Sequence, residues 1–241
     1  AREELLACVI ARLVGAAAHV AVGAASPIPA SGAFLLKARN PALRVSLLHK
    51  RRGNPFSEGA RELFDLAGQG RIDVFFLGGA QIDGAANVNL VRAEGRRFPG
   101  SFGSAFMYFA ARRTILFREE HSRRVLVPKV EFVSAPGSSP PGVWRRGGPQ
   151  ALLTAKALFA WQPQRGRFRL ESVHPGSSLE EVRECTGFEF DCEAPVPATA
   201  APSAEDLALL RGPAAAEIAA NYPAFARKVL LSRSPPSAAS A

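Results

Sequence analysis

Apolar residues in the first third of the chain alternate between helical spacing and short continuous runs. Residues 3–18 carry apolar side chains three or four positions apart, which predicts a helix with one buried face. Ser26-Pro27 favours a second helix start, but Pro29 and Gly32 move the predicted start to near Ala33. Predicted helices therefore cover residues 3–18, about 33–40 and 57–67, and predicted strands cover residues 20–22, 43–49 and 72–77. Strands that alternate with helices predict a largely parallel sheet with right-handed crossovers.

The second half of the chain has a different residue pattern, in which short apolar runs are separated by turn residues. Predicted strands there cover residues 114–117, 130–134, 152–154, 157–161 and 168–173. Ser178 opens a capping-box pattern, which predicts a short helix over residues 178–185. The fold class expected from both halves is α/β, a mostly parallel sheet flanked by helices with a β-rich second half.

The chain also contains segments that favour loops and linkers. Residues 136–149 are rich in Gly, Pro and Ser, which indicates either a lid or partner contact or a slack surface connection. We predict an α/β domain over residues 1–194, a linker and helical segment over 195–231, and a disordered tail over 232–241. The linker covers residues 195–202, and a helix is predicted over 203–211.

Composition narrows the class of protein. The 241 residues are 47% hydrophobic and 21% charged, as expected of a globular protein, and no apolar run is long enough to predict a membrane span. The net charge is +9, but the basic pairs are spread along the chain, and no nucleic-acid-binding motif accompanies them. They favour a solvated surface with some attraction for a polyanionic ligand. Three scattered cysteines predict no disulfide framework and favour a reducing cytoplasm. No histidine has partners at metal-binding spacing, so no metal site is predicted.

The strongest candidate site follows the predicted strand that ends at Leu77. The segment GGAQIDGAANVNL begins there with Gly78-Gly79, where a backbone without Cβ atoms allows close approach of a ligand. In open α/β sheets, ligands bind at the carboxyl ends of strands. An ordinary tight turn is an equal alternative, and Gln81 and Asp83 are expected to fix it through side-chain hydrogen bonds to the backbone. A second turn of small residues contains Gly100, Ser101, Gly103 and Ser104, and its backbone N–H groups are candidates for binding an acyl group or phosphates.

These segments together resemble one known family. GGAQIDGAANVNL is similar to the GGAQID-x-x-G-N-x-N segment of the β (B) subunit of glutaconate CoA-transferase, a family I CoA-transferase. RFPGSFGS, at residues 97–104, resembles the family's R-F-x-G-S-G-G, and HSRRVLVPKVEFVSAPG, at residues 121–137, resembles its H-x-K-R-R…K-I-x-Y-V-x-S-P-G. Further matches at residues 148–150 and 174–188 follow in the same order, so the resemblance runs over about residues 7–211.

The resemblance implies a ligand, a partner and a set of binding residues. The ligand is coenzyme A, carried as an acyl thioester substrate, and the partner is an α subunit in a heterodimer or heterotetramer, with the active site at the subunit junction. The implied coenzyme A-binding residues are those of the two turns: Gly78, Gly79, Ala80, Gln81, Asp83, Gly100, Ser101, Gly103 and Ser104.

One departure from the family pattern bears on the chemistry. In the family, a glutamate after the second strand attacks the thioester and forms a mixed anhydride, since a carboxylate is both nucleophile and leaving group. Here His49 falls at that position, followed by Lys50 and Arg51, and histidine cannot form the glutamyl anhydride. The candidate catalytic residues are therefore His49 as a general acid or base and Lys50 and Arg51 as binders of a carboxylate or enolate.

Several functions remain open at this stage. Related enzymes that decarboxylate glutaconyl-CoA-type substrates, and others that open steroid rings by acyl-CoA hydrolysis, use this fold without transferring coenzyme A. Decarboxylation is the preferred expectation, with hydrolysis as an alternative. Genuine CoA transfer would need a carboxylate from elsewhere, such as Glu58 in Ser57-Glu58-Gly59 or the partner subunit. A non-catalytic scaffold subunit is the remaining alternative.

Overall fold

The computed structural model describes residues 1–50 and 56–231, so Arg51 and the predicted tail at 232–241 lie outside the described residues. The chain divides into two compact units, one made of Ala1–Pro55 and Ala201–Ala241 and the other of Phe56–Ala200. The predicted domain boundary at residue 194 stays a prediction. None of the helices in the described part of the chain is long and apolar enough to cross a membrane.

The elements are numbered here in chain order. The helices are α1 (Arg2–Val14), α2 (Pro27–Arg39), α3 (Ala60–Gly68), α4 (Ser104–Ala110), α5 (Leu179–Cys185), α6 (Ala204–Arg211), α7 (Pro213–Asn221) and α8 (Pro223–Phe225), followed by a π-helical turn at Ala226–Leu230. The strands are β1 (His19–Val22), β2 (Arg44–Leu47), β3 (Val74–Leu77), β4 (Gln81–Ile82), β5 (Val88–Asn89), β6 (Arg92–Ala93), β7 (Arg96–Arg97), β8 (Arg113–Arg118), β9 (Pro149–Thr154), β10 (Ala157–Gln162), β11 (Arg167–Val173) and β12 (Asp191–Cys192).

The first unit packs helices against a pair of parallel strands. β1 and β2 run side by side with His19 opposite Arg44 and Val22 opposite Leu47, so both carboxyl ends lie at the same edge. All four residues of β1 are buried, as expected for a strand covered on both faces. The C-terminal helices α6 and α7 pack on α2, so the end of the described chain belongs to this unit.

The prediction that the second helix begins near Ala33 is wrong, because α2 begins at Pro27. Pro29 is tolerated since it lies in the first turn, where backbone N–H groups have no acceptor within the helix. Gly32 has a packing role: a Cβ there would lie 2.4 Å from Ile10 Cγ2 and 2.6 Å from the Ala7 carbonyl oxygen of α1. A glycine in this helix therefore marks the close contact with α1 rather than a boundary.

The second unit contains the larger part of the sheet, in the order β12-β11-β10-β9-β8-β3. β3, β8 and β9 are parallel, β9, β10 and β11 are antiparallel neighbours, and β12 is parallel to β11. Two small hairpins, β4–β5 and β6–β7, follow β3. The expected fold class is confirmed: a mixed sheet with mostly parallel strands, flanked by helices.

One local prediction in this unit is wrong, and one helix was not predicted. Residues 130–134 form no strand; the Val130 and Glu131 N–H groups are donated to the side chains of Asp83 and Gln81, and the Ser134 N–H is donated to the Val88 carbonyl oxygen. Residues 104–110, where no helix was expected, form α4 directly after the small-residue turn.

Candidate functional site

His49 lies in a turn at the carboxyl end of β2. The strand's hydrogen bonding continues to Leu48, whose N–H is donated to the Val22 carbonyl oxygen at 2.9 Å. The chain then turns, closed by the Lys50 N–H to the Leu47 carbonyl oxygen at 3.1 Å. His49 is thereby held, partly buried, at the edge where the parallel strands β1 and β2 both end. Such an edge is where ligands bind in open α/β sheets.

The imidazole of His49 contacts Tyr222 of the same unit. Tyr222 Oη lies 3.3 Å from His49 Nδ1, and the two ring centroids are 4.8 Å apart at an angle of 51°. Tyr222 is the residue that ends α7, and its N–H is donated to the Ile218 carbonyl oxygen at 2.6 Å. Burial raises the pKa of the Tyr222 phenol to about 12, and a hydrogen bond from the Ser26 backbone N–H opposes that rise. The phenol therefore stays un-ionised at neutral pH and acts as a hydrogen-bonding partner of the imidazole.

The other candidate catalytic residues are Lys50, Arg51 and Glu58. Lys50 is partly buried and follows His49 in the same turn. Arg51 lies outside the described residues. Glu58 is exposed in the turn before α3, in the second unit, where its N–H is donated to Glu62 Oε2 at 3.3 Å.

Gly78 and Gly79 are required by tight packing at the end of β3. A Cβ on Gly78 would lie 2.9 Å from the Phe117 carbonyl oxygen. One on Gly79 would lie 2.6 Å from Val88 Cγ1 and 2.9 Å from the Gln81 carbonyl oxygen. The Ala80 N–H is donated to the Asn89 carbonyl oxygen at 2.8 Å, so it is occupied within the hairpin.

Asp83 organises the loop that follows. Its Oδ1 accepts hydrogen bonds from the backbone N–H groups of Ala85 and Asn87, each at 3.0 Å. Its Oδ2 accepts the Asn87 side-chain amide at 3.2 Å and the Val130 N–H at 3.3 Å. The carboxylate is 3% exposed, so these bonds replace its hydration. The expectation that Asp83 fixes the turn through hydrogen bonds to the backbone is confirmed.

Gln81 has a similar role across the hairpin. Its side-chain oxygen accepts from Asn89 Nδ2 at 2.9 Å and from the Glu131 N–H at 3.1 Å, and its amide is donated to Glu131 Oε1 at 2.8 Å. The Asn87 side-chain oxygen accepts the Gly137 N–H at 3.0 Å. Gln81, Asp83, Asn87 and Asn89 therefore join the segment GGAQIDGAANVNL to residues 130–137. Direct ligand contact by Gln81 or Asp83 stays a prediction.

The turn containing Gly100, Ser101, Gly103 and Ser104 precedes α4. The Ser104 N–H is donated to the Ser101 carbonyl oxygen at 2.8 Å, and Gly100 has φ of 102°, which favours glycine. A Cβ on Gly103 would lie 2.0 Å from Phe64 Cζ, so glycine is required there. Ser104 Oγ is buried and has no hydrogen-bond partner among the described residues.

Phe102 is an unusual member of this turn. It stands where the resembled segment has a glycine, and it adopts a left-handed φ of 43°, which is uncommon for an aromatic residue. Its side chain is 85% exposed, although its ring lies 5.9 Å from that of Phe64. The turn therefore presents a large apolar side chain at its surface.

The second unit also contains a surface groove of about 820 Å³ beside the Asp83 loop. Lys129, Arg165 and Arg167 contribute positive charge to its lining, but Arg165 and Arg167 both pair with Asp191, at 2.8 and 3.2 Å. Asp83 and Glu189 also line it. Its charges are therefore largely balanced. Within the described ranges, no group of three His, Cys, Asp or Glu side chains is placed to hold a metal ion.

The structure groups the predicted residues into separate clusters. His49 and Lys50 lie in the first unit, whereas both glycine-containing turns lie in the second. Sequence reasoning missed Tyr222, because nothing in the sequence links it to a residue 173 positions away. It also missed Glu131 and the two asparagines; the Asn87-x-Asn89 spacing, with side chains on one face of a strand, was a usable signal.

The fold and these turns define a mixed α/β protein whose glycine-rich segments follow strand ends. The coenzyme A transferase family model matches residues 42–184, which is more than half of the chain. The chain belongs to the coenzyme A transferase family.

Individual relatives agree with this assignment. The chain is 31% identical over 153 residues to the B-type subunit of 3-oxoadipate CoA-transferase from Pseudomonas knackmussii, covering 59% of this chain and 58% of the relative. It is 34% identical over 143 residues to the B-type subunit of glutaconate CoA-transferase from Acidaminococcus fermentans, covering 52% and 53%. The matches thus span only slightly more than half the length of these relatives. The crystal structure of the decarboxylase AibA/AibB is similar with a TM-score of 0.71 and 25% identity, covering 88% of this chain and 93% of that chain.

Proposed function

We propose that this chain is the B-type subunit of a cytoplasmic heteromeric enzyme that decarboxylates an acyl-CoA of the glutaconyl-CoA type. An A-type subunit would complete the active site. The observation that carries the proposal is an imidazole, rather than a carboxylate, in the turn after β2, where the resemblance leads us to expect the family's catalytic glutamate. Family membership supports an acyl-CoA substrate, and the similarity to a decarboxylase supports the reaction type.

The proposed reaction uses groups that this turn can supply. The substrate's distal C–C bond breaks and carbon dioxide leaves, and the electron pair is delocalised into the thioester as a dienolate. The protonated imidazole of His49 then donates its Nε2 proton to carbon, and water restores that proton. Lys50, with Arg51, would stabilise the negative charge that develops. The overall change consumes one proton and needs no acceptor acid.

The two glycine-containing turns are proposed to bind the thioester and coenzyme A. Gly100 has open space where a Cβ would lie, and Ser101 and Ser104 add hydroxyl groups. Gly78, Gly79 and Gly103 would act by letting the two turns pack closely on the rest of the protein. Gln81 and Asp83 would act by holding the first turn in shape, since their side chains are already hydrogen-bonded within the protein.

Genuine CoA transfer is the second candidate, because both relatives named above are CoA-transferase subunits. It would require a carboxylate nucleophile in place of His49. Glu58 is the nearest acidic residue after this turn in the sequence, and its exposed position before α3 leaves it available.

Substitution of His49 tests the proposal against this alternative. We expect His49→Gln, in the complex with its A-type subunit, to lower decarboxylation of glutaconyl-CoA by roughly 10²- to 10⁴-fold, because the general acid is lost. Glu58→Gln is the control and should leave turnover within about twofold, since the proposed reaction gives this exposed side chain no role. Thermal unfolding of both variants checks that the fold is intact. Full activity of His49→Gln with loss of activity in Glu58→Gln would reverse the assignment.

A further inference from the structure

The C-terminal segment contributes a side chain to the proposed catalytic turn. Tyr222 Oη and His49 Nδ1 lie 3.3 Å apart, and the two rings are also in contact, with their centroids 4.8 Å apart. Both residues are partly buried and belong to the same compact unit, so the contact is internal to that unit. It joins the turn after β2 to the end of α7, two elements separated by 173 positions in the chain.

From this geometry we infer that Tyr222 is a positioning residue for His49. Its hydroxyl occupies Nδ1 and leaves Nε2 as the ring nitrogen that delivers a proton to the substrate. A histidine that acts as an acid or base depends on the partner of its other nitrogen, which fixes both the orientation of the ring and the location of its protons. This inference rests on the proposed function, in which His49 is the general acid.

The protons can be followed through the cycle. In the protonated ring both nitrogens carry a proton, and Nδ1–H is donated to Tyr222 Oη while Nε2–H is transferred to the carbanion. The ring becomes neutral with its proton on Nδ1, and water then protonates Nε2 again. A phenol oxygen accepts a hydrogen bond through its lone pairs, so Oη accepts Nδ1–H while keeping its own proton. The phenol itself gains and loses no proton.

The packing around Tyr222 supports a fixed rather than a chance contact. Its N–H closes the last turn of α7 on Ile218 at 2.6 Å, and Pro223 begins α8 directly afterwards. The backbone on both sides of the tyrosine is therefore held by helices. The ring contact limits rotation of the imidazole.

Tyr222→Phe tests the inference, because it keeps the ring and removes only the hydroxyl. In the complex with the A-type subunit we expect the kcat for decarboxylation to fall about tenfold while KM changes less than about twofold, as for loss of a group that orients a catalytic side chain. The ¹⁵N resonance of His49 Nδ1, assigned by its disappearance in His49→Gln, should move in Tyr222→Phe.

Tyr108→Phe is a matched control, since Tyr108 is the only other tyrosine of the chain. Its hydroxyl is likewise hydrogen-bonded within the protein, but it donates to the Ala86 carbonyl oxygen, at 2.9 Å, and has no imidazole partner. It should change neither kcat nor the His49 resonance. If His49→Gln abolishes turnover while Tyr222→Phe keeps the wild-type kcat, the inference is wrong and the proposed function stands. If His49→Gln retains turnover, the proposed function fails, and a positioning role for Tyr222 fails with it.

Discussion

At the scale of single residues, the proposal depends on a change of chemical type, His49 in place of the family's catalytic glutamate. A glutamate can form an anhydride and then a thioester, whereas an imidazole at the same position acts most simply as an acid or base. The predicted second strand includes His49 as its last residue, whereas in the structure β2 ends at Leu47 and His49 lies in the turn that follows. Its partner Tyr222 was not predictable, because a contact over 173 positions depends on how the C-terminal helices pack.

The buried histidines contrast with His49. His121 is 6% exposed, with Thr154 Oγ1 2.8 Å from its Nδ1 and Thr186 Oγ1 3.0 Å from its Nε2. Burial, with a smaller effect of the nearby Lys156 cation, lowers the pKa of His121 from 6.5 to about 4. The ring is therefore neutral in the folded protein at neutral pH and has a structural role.

This lowered pKa predicts a loss of stability in mild acid. Above about pH 6.5 the imidazole is neutral in both states, so it contributes no pH dependence; between pH 6.5 and 4 the unfolded chain binds a proton that the folded protein does not. The free energy of unfolding should therefore fall with falling pH, by up to about 3 kcal/mol for this group. Urea unfolding of wild type and His121→Gln at pH 7.5 and 4.5 measures it. An equally steep pH dependence in His121→Gln would assign the effect to other groups.

At the scale of elements, the hydrophobic pattern predicted most strands and helices, because each element buries at least one of its faces. It failed where side chains replace backbone pairing. Residues 130–134 have an apolar, strand-like pattern, yet Asp83 and Gln81 accept the N–H groups of Val130 and Glu131, so no regular ladder forms. Pattern analysis also misjudged Gly32, since the close contact of α1 and α2 depends on tertiary packing.

The close contact between the segment GGAQIDGAANVNL and residues 130–137 predicts that Gly137 cannot be replaced by a larger residue without loss of stability. A Cβ on Gly137 would lie 2.1 Å from the Ala85 carbonyl oxygen and 2.8 Å from backbone atoms of Ala86, so the two segments would have to separate. We expect Gly137→Ala to destabilise the protein by about 2–3 kcal/mol or more, as overpacking against backbone does. Thermal or urea unfolding measures the change.

Gly68→Ala is the matched control for this prediction. Gly68 is the last residue of α3, and a Cβ there would meet only Phe106 Cζ, at an ordinary 3.7 Å. The substitution should be neutral or stabilising by up to about 1 kcal/mol, since alanine is the better helix former. Equal destabilisation by both substitutions would contradict the close approach of the two loops.

At the scale of the whole molecule, the fold class and the family could be predicted from the sequence, because several short segments resemble those of the family and follow each other in the same order. The division into two units could not be predicted, because residues 201–231 join the N-terminal unit through tertiary packing, which no sequence pattern indicates. The reaction is also a property of the assembled enzyme in our account. The chain by itself is expected to be inactive, since the proposed site needs an A-type subunit.

The measurement that tests the central claim most directly identifies the products made by the complete complex. The co-expressed complex would be incubated with glutaconyl-CoA and 3-methylglutaconyl-CoA, with and without acetate, and the coenzyme A products identified by mass spectrometry. We predict a thioester lighter by one carbon dioxide, formed at the same rate with or without acetate. Acetyl-CoA that appears only when acetate is present would contradict the account and establish coenzyme A transfer.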